Sequence, residues 1–327
     1  MTEKKVVWAI FDNRTGNRQQ LTGVLNELNL GYEKLEIKYN RYAFLPNVII
    51  QLIGGFLHIK NNINLDNIKN PHVLIACGRR TVPVALKVYK DLPYKPFLIQ
   101  LMYPRFTLYK KLYDMIIVPE HDRTPKHKNI YKFIGTPNQI SHLTKTEQSK
   151  ILSKKKNSII LILLGGNHGK YKLNITLINK IINSVMISAE KNDCIYITTS
   201  RRTSLQGIKY IDKQFAKNKK IKQIYHPNTS SENNPIVNFL YECKEIVVTG
   251  DSMSMISEAC SINKPVRIFY NKNICSPKQI AYCKKLIEEG YAFKLNSKKM
   301  IKKNIKVLET TKFISNKIKE VMLKKYE

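Results

Sequence analysis

Carboxylates are scarce in this chain of 327 residues: 24 Asp and Glu stand against 56 Lys and Arg, a formal net charge of +32. Such a balance favours polyanionic partners, whether nucleic acid, an anionic membrane surface or phosphorylated ligands. The excess is mostly lysine dispersed among Asn and Ile, the pattern that AT-rich coding produces. It therefore speaks more for an acidic surface than for nucleic acid, and no RNP-type aromatic motif or other nucleic-acid module is present. Long apolar runs are also missing. No stretch of about 18 residues is free of Pro, Gly or polar interruption, which excludes a transmembrane helix. The start, MTEKK followed by one short strand, lacks the long apolar region of a signal peptide, so a cytoplasmic protein is expected. The six cysteines (Cys77, Cys194, Cys243, Cys260, Cys275 and Cys283) form no CxxC pair, and several fall in or beside apolar runs. Reduced packing cysteines fit this better than disulfides or zinc ligands.

What is there is a globular composition, 43% hydrophobic with 9% aromatic residues. The length fits two domains of about 150 residues each. Ile246–Phe269 reads as a strand, a tight turn at Gly250 and Asp251, a helix opened by Ser252 or Ser254 and running to about Cys260, and a second strand from Pro265. Such a unit aims the free amides of a helix at the carboxyl edge of a parallel sheet, a place to hold phosphate. Asp251, Ser254 and Glu258 can share one helix face. Hydroxyls and amides near the turn suit a diphosphate, and Glu258 suits the two hydroxyls of a ribose. The plainer alternative is that Asp251, Ser252 and Ser254 cap the helix and Glu258 is solvated.

Other strands also end in polar loops. Lys5–Phe11 leads into a turn containing Arg14, Gly16, Asn17 and Gln20 and then a helix through Leu28, and Tyr32–Ile37 is a second strand. His72–Cys77 precedes Gly78-Arg79-Arg80-Thr81, and Pro96–Leu101 precedes Met102-Tyr103-Pro104-Arg105. Met115–Val118 precedes Pro119-Glu120-His121-Asp122, where imidazole between carboxylates is a candidate acid/base or orienting group. No second His stands at ligand spacing. Ser158–Leu164 precedes the glycine-rich Gly165-Gly166-Asn167-His168-Gly169, and Cys194–Thr198 precedes Thr199-Ser200-Arg201-Arg202-Thr203. A helix spans about Asn174–Glu190. Arg pairs after strands in both halves suit bidentate phosphate or carboxylate contact and argue for two similar domains. Tyr42–Ile59 carries no Lys, Arg, Asp or Glu in its 18 residues, although Pro46 and Gly54-Gly55 interrupt it. A buried helix and a patch dipping into a bilayer are its two readings. Ser276–Gly290 and Lys298–Glu327 read as lysine-rich amphipathic helices.

GRRT at 78–81, QLMYPR at 100–105, VPEHD at 118–122, GGN at 165–167, TTSRRT at 198–203 and TGDSMSMISEAC at 249–260 together resemble the elongated-mitochondria family, plant mitochondrial-fission proteins with many bacterial relatives. The resemblance spans nearly the whole chain. It implies an α/β, GT-B glycosyltransferase-like architecture: two Rossmann-like domains facing across a cleft, with a C-terminal helix bridging back. The expected division is an acceptor domain at 1–145, a linker at 146–157, a nucleotide-sugar donor domain at 158–300 and a helix at 301–327 returning to the first domain. Carried over residue by residue, Gly165, Gly166, Asn167, Ser200, Arg201, Arg202, Thr203, Asp251, Ser252, Ser254, Met255 and Glu258 bind the donor. Arg14, Gly16, Asn17, Gln20, Arg79, Arg80 and Thr81 face the acceptor. His121, Glu120 or Asp122 removes the acceptor proton. The implied reaction moves a sugar from a nucleotide-diphosphate sugar to a cell-envelope acceptor, either lipopolysaccharide or lipid-linked, on the inner face of the cytoplasmic membrane. No DxD motif of the metal-dependent kind is present, so neither metal nor cofactor is expected. The alternative is a non-catalytic scaffold that uses the fold to bind a membrane or partner; RNA binding is a more distant third.

Overall fold

The computed structural model describes residues 6–61, 63, 70–105, 108, 110–140, 158–230, 234–297 and 305–326. The connection expected at 146–157 lies outside the described residues. Two compact units form, one from residues 1–142 with 309–327 and the other from residues 143–308. Each is a six-stranded parallel sheet with helices, so both belong to the doubly wound α/β class.

In the first unit the order is β2-β1-β3-β4-β5-β6, from β1 (Val7–Phe11), β2 (Tyr32–Glu36), β3 (Val73–Cys77), β4 (Phe97–Leu101), β5 (Met115–Pro119) and β6 (Ile130–Phe133). The central strands β1, β3 and β4 are buried at every position, which is why they read as unbroken apolar runs. Among the described residues three helices follow strands: α1 (Thr15–Leu28), α2 (Asn47–Leu52) and α3 (Val82–Asp91). The second unit holds β7 (Ser158–Leu163), α4 (Ile175–Ser188), β8 (Asp193–Thr198), α5 (Leu205–Phe215), β9 (Ile221–Tyr225) and α6 (Ile236–Glu242). It continues with β10 (Glu245–Thr249), α7 (Met253–Cys260), β11 (Val266–Phe269), α8 (Pro277–Glu288) and β12 (Phe293–Lys294). Its sheet order is β12-β11-β10-β7-β8-β9. Asn174, Ser204 and Ser276 each accept a backbone amide and so start α4, α5 and α8. Ser276 and Gln279 complete a reciprocal capping box.

The last helix, α9 (Thr310–Tyr326), returns to the first unit. Ile314, Ile318 and Met322 join Leu21, Val24, Leu25 and Leu28 of α1 in one buried cluster. Their spacing of four puts all three on one face, and burying each contributes about 1.5–3 kcal/mol. Residues 305–309, expected to be helical, are not helix, and 298–304 lie outside the described residues.

Tyr42–Ile59 is neither one helix nor buried throughout. It forms a short 3-10 turn (Arg41–Phe44) and then α2, which Gly54 and Gly55, both at φ +86°, end abruptly. Among the described residues no helix is long and apolar enough to cross a membrane.

Candidate functional site

In the second sheet the strand order reverses between β7 and β10, and the crevice at the carboxyl ends of such strands is where doubly wound folds bind ligands. Gly165 and Gly166 follow β7, and Gly250 and Asp251 follow β10. The Gly165 amide donates to Thr249 Oγ1 at 2.7 Å and the Gly166 amide to Asp251 Oδ2 at 2.9 Å. A Cβ on Gly165 would collide with the Asp251 carboxylate, and one on Gly166 with the carbonyl of Arg202. Both glycines therefore serve close approach between loops rather than an unusual φ.

The loop after β8 closes over the same point. Thr203 Oγ1 donates to the Gly165 carbonyl, the Asn167 amide to the Arg202 carbonyl at 2.9 Å, and the Arg202 amide to Ser200 Oγ at 3.1 Å. The Arg202 guanidinium reaches Asp251 Oδ2 at 2.9 Å. The Asp251 side chain is fully enclosed, so it anchors the glycine turn and Arg202. Both protein donors meet Oδ2, while the buried Oδ1 has no hydrogen-bond partner among the described residues. Thr203 is likewise buried and acts on the loop. Arg201 stays exposed, and Asn167 Oδ1 accepts from the Leu173 amide at 3.1 Å.

Helix α7 begins at this edge. Ser252 is its N-cap residue but makes no side-chain cap, and the amides of Ser254 and Met255 have no acceptor among the described residues. Ser252, Ser254 and Met255 are half-buried, as is Glu258 one turn beyond Ser254. Among the described residues no hydrogen bond or ion pair reaches the Glu258 carboxyl, and burial pushes its pKa up to about 7. The helix is fixed from behind, where Ser257 Oγ lies 2.8 Å from the Tyr282 hydroxyl.

The first sheet reverses between β1 and β3. Buried Asp12 accepts from the Arg14 amide at 3.0 Å, Asn17 Nδ2 at 2.8 Å and the Tyr39 hydroxyl at 3.0 Å. Asn17 lies against Gly78, whose φ of +96° and absent Cβ admit it. Arg80 rests on the Tyr39 ring at 5.5 Å, and burial together with the charges of Arg14 and Arg79 lowers its pKa. Thr81 is fully buried and donates to the Gly78 carbonyl at 2.8 Å, so it shapes the turn. Gln20 is buried beside Met102, Pro119 and Ile314, while Gly16 faces open space. Glu120, His121 and Asp122 form the turn after β5, held by Glu120 N–H to the Phe133 carbonyl at 2.8 Å and Asp122 N–H to the Pro119 carbonyl at 2.9 Å.

Two features escaped the sequence reading. His226, after β9, bridges Thr199 Oγ1 at 2.9 Å and Asp212 Oδ1 at 3.0 Å; its place at the carboxyl end of a strand was the available signal. Met102, after β4, sits at φ +73°, a strained conformation for its side chain and one that sequence does not announce. No group of three or more His, Cys, Asp or Glu among the described residues could share a metal ion.

Residues 15–322 match the family described as mitochondrial fission ELM1. The chain belongs to that family. An uncharacterized protein of Rickettsia prowazekii, RP120, is 28% identical over 88% of this chain and 89% of its own length. Among solved structures, the UDP-GlcNAc 2-epimerase of Neisseria meningitidis bound to UDP-GlcNAc is similar with a TM-score of 0.53 at 15% identity, covering 98% of this chain and 100% of that one. The glycotransferase of kitacinnamycin gives 0.52 at 10% identity, covering 98% and 100%. These likenesses make the ELM1-family fold here GT-B glycosyltransferase-like.

Proposed function

We propose that this ELM1-family protein transfers a sugar from a nucleotide-diphosphate sugar to a hydroxyl of a cell-envelope acceptor, without a metal. The observation that carries the proposal is on α7. Amides with no acceptor among the described residues open the helix, and one turn later comes a half-buried carboxyl that no described side chain or amide pairs. The separation from Ser254 to Glu258 is about 6 Å along the axis, the reach from a diphosphate to its ribose. The diphosphate sits on the Ser254 and Met255 amides with Arg201 and Arg202 beside it, and Glu258 accepts from the ribose hydroxyls. That a similar fold is seen bound to UDP-GlcNAc supports a nucleotide sugar as the ligand.

In the reaction the acceptor oxygen forms a bond to the anomeric carbon as the bond from that carbon to the diphosphate breaks. The acceptor proton passes to a base, which we assign to Glu120, His121 or Asp122 of the first unit. Helix amides and the arginines stabilise the charge on the departing diphosphate, which is the task a metal performs elsewhere. Arg14, Asn17, Arg79 and Arg80 are assigned to the acceptor.

Thermal unfolding against UDP, GDP, CMP, ADP and their sugars tests the donor assignment. A ligand at 100 times its Kd should stabilise the protein by about 2.7 kcal/mol. One nucleotide should raise the midpoint of the wild type and not of Glu258→Ala. Equal shifts in both proteins, or none in either, would remove the donor site from α7.

A further inference from the structure

Ten large apolar side chains are well exposed among the described residues, and four of them lie within ten residues: Phe44 at 71%, Ile49 at 40%, Leu52 at 72% and Ile53 at 57%. Such clustering is a patch, not the ordinary scatter of surface hydrophobics. Ile49, Leu52 and Ile53 are spaced i, i+3, i+4 and so share one face of α2 and its end, while Asn47 and Ile50 on the other face are buried.

The segment that carries the patch is a closed loop. Tyr39 and Ile59 pair antiparallel at its neck, where the Asn40 amide donates to the His58 carbonyl at 3.0 Å and the Lys60 amide to the Lys38 carbonyl at 2.8 Å. Asn40 Nδ2 ties the ends again through the carbonyls of Leu57 and Ile59, at 2.8 and 3.0 Å. The inner side is fastened to the turns that follow β3 and β4: Asn47 Nδ2 donates to the Arg79 carbonyl at 2.9 Å, and the Leu108 amide to Gln51 Oε1 at 2.8 Å. The loop is therefore held with its apolar face outward.

Cations ring the neck, and the carboxylates beside it are already engaged, Asp12 accepting from the Tyr39 hydroxyl and Glu36 pairing with Arg18. Lys38, Arg41 and Lys60 are exposed there, and the chain carries no carboxylate from Ile37 to Leu65. Apolar side chains at a tip above a collar of cations complement a bilayer with anionic headgroups: the tip enters the acyl boundary and the collar meets the phosphates. We propose that the tip at residues 44–53 inserts into the surface of an anionic membrane and holds the protein there. This does not depend on the donor reading, which concerns the second unit.

Co-sedimentation of the full chain with vesicles of equimolar phosphatidylcholine and phosphatidylglycerol tests it. The wild type should bind, and Leu52→Ser with Ile53→Ser should weaken binding about tenfold or more, as loss of two inserted aliphatic chains requires. Both positions are exposed, so the thermal midpoint without vesicles should not move. Lys38→Glu with Lys60→Glu should lower binding and flatten its salt dependence. In Leu52→Trp, the new indole should shift to the blue on adding vesicles, against the constant background of fully buried Trp8. Undiminished binding by the serine variant, or an unshifted indole, would overturn the proposal. So would a wild type that ignores vesicles but dimerises through the same residues.

Discussion

Asp251 Oδ2 receives the guanidinium of Arg202 and the amide of Gly166 at the same distance, 2.9 Å. Gly166 follows β7, Arg202 follows β8 and Asp251 follows β10, so one oxygen joins three loops at the sheet's reversal point. The neighbouring arginines therefore divide the work: Arg202 is built into the site, and Arg201 is exposed. Arg202→Ala should destabilise the second unit by about 1–3 kcal/mol, because the Asp251 carboxylate loses its cation while the half-exposed Arg202 site lets water in. Arg201→Ala should leave the denaturant midpoint within about 0.5 kcal/mol of wild type and act only on donor affinity. Equal unfolding effects from the two would mean that the Asp251 pair does not organise the loops.

Two glycines of the expected site should behave oppositely. Gly166→Ala forces a methyl into the Arg202 carbonyl and should cost about 1–3 kcal/mol or more, with donor binding lost. Gly16, in the first turn of α1, has nothing within 4 Å of the place where an alanine methyl would stand, so Gly16→Ala should raise stability by up to about 1 kcal/mol. Urea titrations of the two variants check both signs.

Most of the sheet could be read from the chain because its central strands are buried on both faces. VWAIF, VLIAC and FLIQL leave little room for another assignment. The strands β6 (IYKF) and β9 (IKQIY) went unread because they lie at sheet edges, where half the positions meet water and lysine is admitted. Tyr42–Ile59 stood out by its lack of charge, but composition does not say which side an apolar face will turn; the Asn47 and Gln51 anchors that turn it outward depend on residues 32 and 57 positions away. Asp251 shows the same limit at the site. Its type and spacing suggest a ligand, and only its contact with Gly166, 85 residues earlier, shows that it serves the loop. Glu258, on the same helix, was legible in place, but its lack of an internal partner among the described residues was not.

That lack has a stability signature. Burial raises the Glu258 pKa from 4.5 in the unfolded chain to about 7 in the fold, so the folded state binds the proton more tightly. Its contribution is then fully present below about pH 4.5 and lost as pH rises through about 7. Glu258→Gln removes the titration. At about pH 8 the variant should be more stable than wild type by as much as about 3 kcal/mol, and near pH 4 the difference should vanish. Thermal midpoints of both proteins across this range test the sign; a difference that does not vary with pH would show that the carboxyl is hydrated.

The same proton makes donor binding depend on pH in the opposite direction. A ribose donates two hydrogen bonds, which only the ionised carboxylate can accept fully, so binding must release the proton that Glu258 holds below about pH 7. Affinity should therefore rise with pH and level off above about 7; one unit lower it should be about tenfold weaker. A nucleotide sugar is the right probe, because its diphosphate has no second ionisation near neutrality to imitate the effect. Calorimetry at about pH 6.5 in two buffers of different ionisation enthalpy should register proton release by the wild type and none by Glu258→Gln. Were the variant to bind as tightly with the same pH profile, the titrating group would lie elsewhere and the ribose would not rest on α7. Were affinity flat in pH but lost in the variant, Glu258 would bind already ionised, and the stability profile would have to be flat as well. The two pH dependences thus check one another: a single carboxyl that opposes folding and favours binding at neutral pH is expected of a group placed for a ligand and not for the fold.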